Sequence, residues 1–229
     1  RDSYNSNTSK FYTDLGLLST DPEIASDLLE LFNYLSGFSK QKSYQKLLVS
    51  PSSMRKKFIF LIKREIKNAE EGKKAEIIAK MNSLVDPEII NLLYLASDSG
   101  VKISLIVRGI CCLYPQRKNL SENIKVKSII GHFLEHSRIF WFCNNGDNEV
   151  FIGSADWMRR NLDRRIEAVT PIEDYELKSK IYSLLQTYIK DDYFSWIMKE
   201  DGSYSKYLLD SSHNRCLLYT SPSPRDATL

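Results

Sequence analysis

The chain has 229 residues, 42% hydrophobic and 27% charged, a balance that excludes disordered and fibrous classes and supports one sizeable core plus part of another domain. Its formal net charge is only +3, so bulk charge does not argue for a nucleic-acid partner and any anion site must come from local clustering. No apolar run approaches the roughly 18 residues that span a bilayer, and no basic stretch leading into an apolar one opens the chain, so a cytoplasmic protein, or one peripheral at a membrane, is expected.

Both ends read as foreign to the rest. The tail from Cys216 to Leu229, with its Ser-Pro-Ser-Pro-Arg-Asp, reads as translated sequencing-adapter sequence, and Arg1-Asp2-Ser3 echoes it. Residues 1–3 and 216–229 are therefore set apart, and the native protein is expected to continue in both directions. Asp21-Pro22-Glu23 is an N-cap followed by proline at the first helical position, and Ile24, Leu28, Leu31, Phe32 and Leu35 keep helical spacing up to Gly37. Ser39 to Ser43 reads as a linker. Lys46 to Ser50 is a short apolar strand, and Pro51-Ser52-Ser53 opens a long helix to about Glu71. That helix start is a possible phosphate site, or is capped by its own serines.

Ala75 to Leu84 reads as a strand, Asp86-Pro87-Glu88 starts a helix to about Ser99, and Lys102 to Val107 is a buried strand closed by Arg108-Gly109. Alternation of strands and helices implies βαβ units and a largely parallel sheet, with ligands at the C-terminal strand ends, where Arg108 lies. A structural ion pair is the other reading of Arg108. Asn123 to Ile130 adds a strand, Val169 to Ile172 closes the sheet, and Tyr175 to Lys190 is an amphipathic helix. Little can be read after Asp191. Cys111, Cys112, Cys143 and Cys216 contain no Cys-x-x-Cys pair, so reduced, buried thiols are expected rather than a zinc ribbon or a redox pair.

The densest chemistry lies between Phe133 and Glu167. Leu134 to Phe142 is rich in β-branched and aromatic residues, stops at Asn144-Asn145-Gly146-Asp147, and resumes at Glu149 to Ser154, which predicts a hairpin. Alternation along one strand would put His136 and Arg138 on the same face. Arg159, Arg160, Arg164 and Arg165 follow closely, offset only by Asp156 and Asp163. Guanidinium forks match phosphate oxygens, so the cluster favours a phosphoryl ligand.

The runs Phe133-Leu-Glu-His136-Ser-Arg138, Gly153-Ser-Ala-Asp-Trp-Met158 and Asn161-Leu-Asp-Arg-Arg-Ile-Glu167 resemble the C-terminal part of the ATP-dependent polyphosphate kinases, over about Tyr4 to Ile189. The resemblance implies an α/β fold, a phospholipase D-like mixed sheet flanked by helices, spanning residues 46–215 and preceded over 4–45 by the end of a similar domain and its linker. It implies reversible transfer of the terminal phosphate of ATP to polyphosphate through a phosphohistidine. The phosphorylated histidine, in a His-x-Lys motif, and the Mg2+ ligands are expected upstream, so this fragment alone is expected to be inactive.

Residue by residue, the resemblance gives ATP or phosphate contacts to Tyr12, Arg108, His136, Arg138, Arg165 and Glu167, and an acid–base or phosphate-stabilising role to His136. The family's Gly-Thr-Gly-Asn turn before Tyr12 is lost. Partners by resemblance are ATP or ADP, inorganic polyphosphate and further copies of the chain in a dimer or tetramer, with no nucleic acid.

Other readings compete. His132-Phe-Leu-Glu135-His136 fits the H-x-x-E-H pattern of a zinc protease, but those ligands need a helix and the flanking residues are strand-like. A phospholipase D-like fold also hosts phosphodiesterases, and the arginine cluster alone would suit a non-catalytic polyanion-binding domain.

Overall fold

A computed structural model describes residues 7, 10–38 and 43–206. The expectations for residues 1–3, the linker residues 39–42, His213 and the tail from Cys216 lie outside them.

Local chemistry sets the helices. In α1 (Pro22–Leu35) the Asp21 carboxylate accepts from the Glu23 and Ile24 amides, and in α3 (Pro87–Asp98) Asp86 accepts from Ile89, each with proline opening the helix. In α5 (Tyr175–Lys190) Asp174 accepts from Leu177. The helix α2 (Met54–Glu70) has no side-chain cap: Ser52 and Ser53 spend their hydroxyls on the Val49 carbonyl instead of on helix amides. A short helix, α4 (Arg159–Asp163), completes the set.

The strands are β1 (Tyr12–Thr13), β2 (Leu48–Ser50), β3 (Glu76–Met81), β4 (Lys102–Val107), β5 (Ile124–Ile129), β6 (Leu134–Glu135), β7 (Arg138–Phe142), β8 (Glu149–Gly153), β9 (Glu167–Ile172), β10 (Ser195–Met198) and β11 (Tyr204–Lys206). Nine form one mixed sheet in the order β11-β10-β5-β4-β3-β7-β8-β9-β2, while β1 and β6 pair in parallel as a separate ribbon. The period-two rule assigns the two faces. Ile77, Ala79, Phe140 and Phe142 join the core under α2 and α3, whereas Ile78, Ile139 and Trp141 join the core under α5.

Three expectations need correction. The sheet is not largely parallel: only β3, β4 and β5 run together, and every other pair is antiparallel. The cause lies in the connections, because β2 enters at the far edge beside β9, and the link from β4 to β5 carries no helix. For the same reason Val169 to Ile172 does not close the sheet; β9 has β8 on one side and β2 on the other. Of the thiols, Cys143 is buried and Cys111 half-buried, but Cys112 is exposed.

The hairpin is as expected, with β7 and β8 joined through a 3-10 turn at Asn144–Gly146, where both asparagines and the glycine take positive φ. Its upstream extension is not one strand. Leu134 and Glu135 pair with β1, Arg138 onward pairs with β3 and β8, and His136-Ser137 forms a break between the two pairings. Asp27 of α1 is 4% exposed and accepts the Gln45, Lys46 and Leu47 amides at 2.7–2.8 Å, tying α1 to the entry of β2.

Candidate active site

Three features of the fold converge on one cleft. Register in the β1–β6 ribbon sets Tyr12 opposite Leu134 and Thr13 opposite Glu135, and the His136 amide continues the pairing by donating to the Thr13 carbonyl at 3.0 Å. Register in the hairpin sets Arg138 opposite Gly153, so Ser154 follows at the strand end beside it. The turn after β8 leads to α4 and its arginines. Between these elements lies a cleft of about 1070 Å3 lined by Tyr12, Asp14, His136, Arg138, Arg165 and Glu167, among others. The loop after β1 and the start of α1 form its opposite, more apolar wall.

At its centre the His136 Nδ1 lies 2.9 Å from the Asp14 Oδ2. The Tyr12 ring meets the imidazole edge-on with centroids 5.1 Å apart. Arg138 lies against the same ring, its Nη1 3.2 Å from Nδ1 and 3.0 Å from Nε2, and donates to the His136 carbonyl at 3.0 Å. Burial works to raise the Asp14 carboxyl, but hydrogen bonds from His136 and the Leu15 amide and the nearby positive charges outweigh it and hold Asp14 below the usual carboxylate range.

The arginines are aimed by residues behind them. Asp156, 7% exposed, accepts the Asn82 amide at 2.7 Å and faces Arg138 Nε at 3.3 Å. Asn82 in turn accepts from Arg108 Nε and Nη2 at 3.1 and 2.9 Å through its side-chain oxygen. Burial first, and the neighbouring Arg138 charge second, hold Arg108 below its ordinary range. Asp156 acts on both guanidinium groups, and their forked donors match the geometry of phosphate oxygens.

Glu167 is 5% exposed, and its oxygens are taken up by the Ser154 hydroxyl at 2.5 Å and the Asn161 amide at 2.6 Å, with Arg165 Nε at 3.3 Å. Of this group Arg165 is the exposed member, its side chain 56% accessible. Arg165 lies just before β9, whose first residue is Glu167. The charge balance along α4 also differs from the sequence view, because Asp163 faces away to Arg55 and leaves the α4 arginines less offset.

The structure thus brings Tyr12, His136, Arg138, Arg165 and Glu167 to one cleft, with Arg108 set beside Arg138 through Asn82. The His132-Phe-Leu-Glu135-His136 pattern does not converge. Glu135 turns inward to the Tyr188 hydroxyl at 2.6 Å while His136 faces Asp14, and His132 is exposed with its ring 5.8 Å from that of Phe194. Among the described residues no three His, Cys, Asp or Glu side chains are grouped to hold a metal ion. Sequence reasoning missed Asp14 and Asn82; the only sign of Asp14 was a carboxylate two residues after Tyr12.

Fold and site together define a mixed α/β domain with a cationic cleft organised around one histidine, suited to phosphate groups. Comparison with known families makes this specific: the chain belongs to the polyphosphate kinase C-terminal domain family, domain 2 matching residues 47–216 and domain 1 matching residues 2–41. It is 62% identical over 201 residues to a polyphosphate kinase of Parasynechococcus marenigrum (strain WH8102), covering 88% of this chain and 28% of that protein. A polyphosphate kinase of Dictyostelium discoideum is 49% identical over 203 residues, covering 89% of this chain and 19% of that one. The crystal structure of polyphosphate kinase from Porphyromonas gingivalis superposes with a TM-score of 0.80 at 40% identity, covering 82% of this chain and 29% of that chain. The chain therefore spans under a third of the length of these relatives.

Proposed function

We propose that the chain forms one wall of the phosphoryl-transfer site of a polyphosphate kinase, which moves the terminal phosphate of ATP reversibly onto polyphosphate through a phosphohistidine. The observation that carries this reading is the imidazole of His136 set between Asp14 and Arg138 in a cleft of about 1070 Å3. Phosphoryl transfer passes through a loose transition state, so alignment and charge neutralisation supply most of the catalysis. Asp14 holds Nδ1 and fixes the ring, and Arg138 and Arg108 offer forks to non-bridging oxygens. His136 serves as acid–base or steadies the phosphorylated partner, and the Tyr12 ring packs beside the incoming nucleotide.

Glu167, with its oxygens filled by Ser154 and Asn161, holds the floor on which Arg165 swings toward phosphate. The phosphorylated histidine and the Mg2+ ligands are expected, by family resemblance, upstream of Tyr4, and Mg2+ would supply charge neutralisation from that side. Residues 4–45 as the end of one phospholipase D-like domain, and 46–215 as the next, is the domain division that fits. Its partners are ATP or ADP and polyphosphate, and a dimer or tetramer is the expected assembly. No described helix is long and apolar enough to cross a membrane, and a cytoplasmic location, or a peripheral one at a membrane, is part of this proposal.

Arg108→Ala in the complete polypeptide is expected to weaken binding of a non-hydrolysable ATP analogue about tenfold or more, since a partly buried charge-assisted contact contributes roughly 1.5–3 kcal/mol. Arg165→Ala, at a more exposed side chain, is expected to cost only about threefold. Titration calorimetry measures both. Equal, unaltered affinities in the two variants would remove the nucleotide from this cleft.

A further inference from the structure

We propose that Lys80 is a positioning residue for this site: buried beneath the break at His136-Ser137, it fixes the break so that His136 and Arg138 face the cleft together. The inference rests on the kinase reading of His136 and extends it to a side chain that does not line the cleft.

Lys80 lies on β3 and is 2% exposed, pointing with Ile78 toward the α5 face of the sheet. Its Nζ donates to the Ser137 hydroxyl at 2.8 Å and to the Ser137 carbonyl at 3.1 Å. The Glu135 Oε2 lies 3.5 Å away and the Tyr188 ring 4.9 Å away, while the Tyr188 hydroxyl donates to that same Glu135 oxygen at 2.6 Å. A lysine in a sheet core is expensive, and an apolar residue of its size would fit at lower cost, so the cation is best explained by what it holds.

What it holds is the change of pairing. Glu135 ends the strand that follows β1, and Arg138 starts the strand that follows β3 and β8. Ser137, 3% exposed, lies between the two registers, and Lys80 supplies its carbonyl and hydroxyl with a donor. One ammonium therefore clamps the residues on both sides of His136. Without it, Ser137 and the Glu135 carboxylate lose a partner in a buried place, and the backbone that aims the imidazole can relax.

The groups facing Lys80 come from four elements: Glu135 of β6, Tyr188 of α5, Asp14 after β1 and Arg108 after β4. Burial lowers the ammonium to about 8, with Glu135 the main opposing influence. The clamp therefore loses its charge within an accessible pH range.

The test compares Lys80→Met and Lys80→Arg with the wild type in the complete polypeptide. Lys80→Met is expected to lower kcat for polymer formation by about 30- to 100-fold with KM for ATP held within about threefold, the scale of misplacement by about 1 Å. The wild-type kcat is expected to decline as pH rises through about 8; Lys80→Met is expected to lack this limb, and Lys80→Arg to recover activity and move the limb upward. Independently of turnover, the nuclear Overhauser contact between the Tyr12 and His136 rings, 5.1 Å apart, is expected to vanish in Lys80→Met and persist in Lys80→Arg. A folded Lys80→Met that keeps either that contact or wild-type kcat overturns the proposal. If the wild type makes no polymer, the kinase reading fails on its own and the ring contact alone decides Lys80. If Lys80→Met does not fold, Ser137→Ala, which removes only the hydroxyl acceptor, decides by the same two readouts with a milder loss of about three- to tenfold.

Discussion

Replacing His136 by alanine in the complete polypeptide is expected to cut polymer formation by about 10^2- to 10^4-fold, the usual range for loss of a positioned acid–base group. The imidazole is held on one side by Asp14 at 2.9 Å and on the other by Arg138 at 3.0 Å, so the ring cannot be replaced by a neighbouring side chain without moving both. Nucleotide affinity is expected to change only a few-fold, because Arg108 and Arg138 keep their own anchors on Asn82 and Asp156. Steady-state kinetics paired with binding of an ATP analogue separates the two effects. Wild-type turnover in the variant would deny His136 a working role, and a matching loss of affinity and rate would make it a binding group.

The second large effect concerns stability. Arg55 of α2 grips Asp86 with Nη1 at 3.0 Å and Nη2 at 2.6 Å, Asp163 with Nε at 2.6 Å and Nη2 at 2.7 Å, and Glu88 at 2.8 Å. This guanidinium joins α2 to the starts of α3 and the end of α4, the helix that carries Asn161 and leads to Arg165. Asp86 is 1% exposed, so Arg55→Ala strands a buried carboxylate and is expected to cost about 3–5 kcal/mol in denaturant unfolding of the chain near neutral pH. Burial alone would raise the Asp86 carboxyl; Arg55 and the Ile89 amide outweigh it and hold it low. A carboxyl depressed in the folded state contributes stability above its unfolded value near 3.8, and that contribution is lost as pH falls through the folded value. The gap between wild type and variant is thus expected to be full above about pH 4 and to narrow below it. A gap independent of pH down to 2 would assign the effect to lost packing of the Arg55 stem.

Much of this was legible in sequence where short-range chemistry decides. Asp21 and Asp86 cap helices through amides two or three residues away, and the Asn144-Asn145-Gly146 turn requires only the backbone freedom of those residues. Tyr12, Arg108, His136, Arg138, Arg165 and Glu167 came from motif resemblance, and the fold brings all but Arg108, which is anchored on Asn82, to one cleft. What stayed hidden depends on partners far along the chain. Asp14 and His136 are 122 residues apart and Lys80 and Ser137 are 57 apart, and no local pattern announces either pairing. The parallel sheet was over-read because alternating strands and helices do not reveal at which edge β2 enters, and the edge pair β10 and β11 is too short to signal itself. His136 and Arg138 do share a site, but through a break held from beneath, with Arg138 folding back on the imidazole, rather than by simple strand alternation.

The most direct test of the kinase reading is to incubate the complete polypeptide with gamma-labelled ATP and Mg2+ and to follow acid-labile label on protein and label in long-chain polyphosphate. The account predicts both products, with the polymer lost in the His136→Ala variant. Cleavage of a phosphodiester substrate with no label on protein or polymer would contradict it, leaving the fold in place and assigning the cleft to hydrolysis.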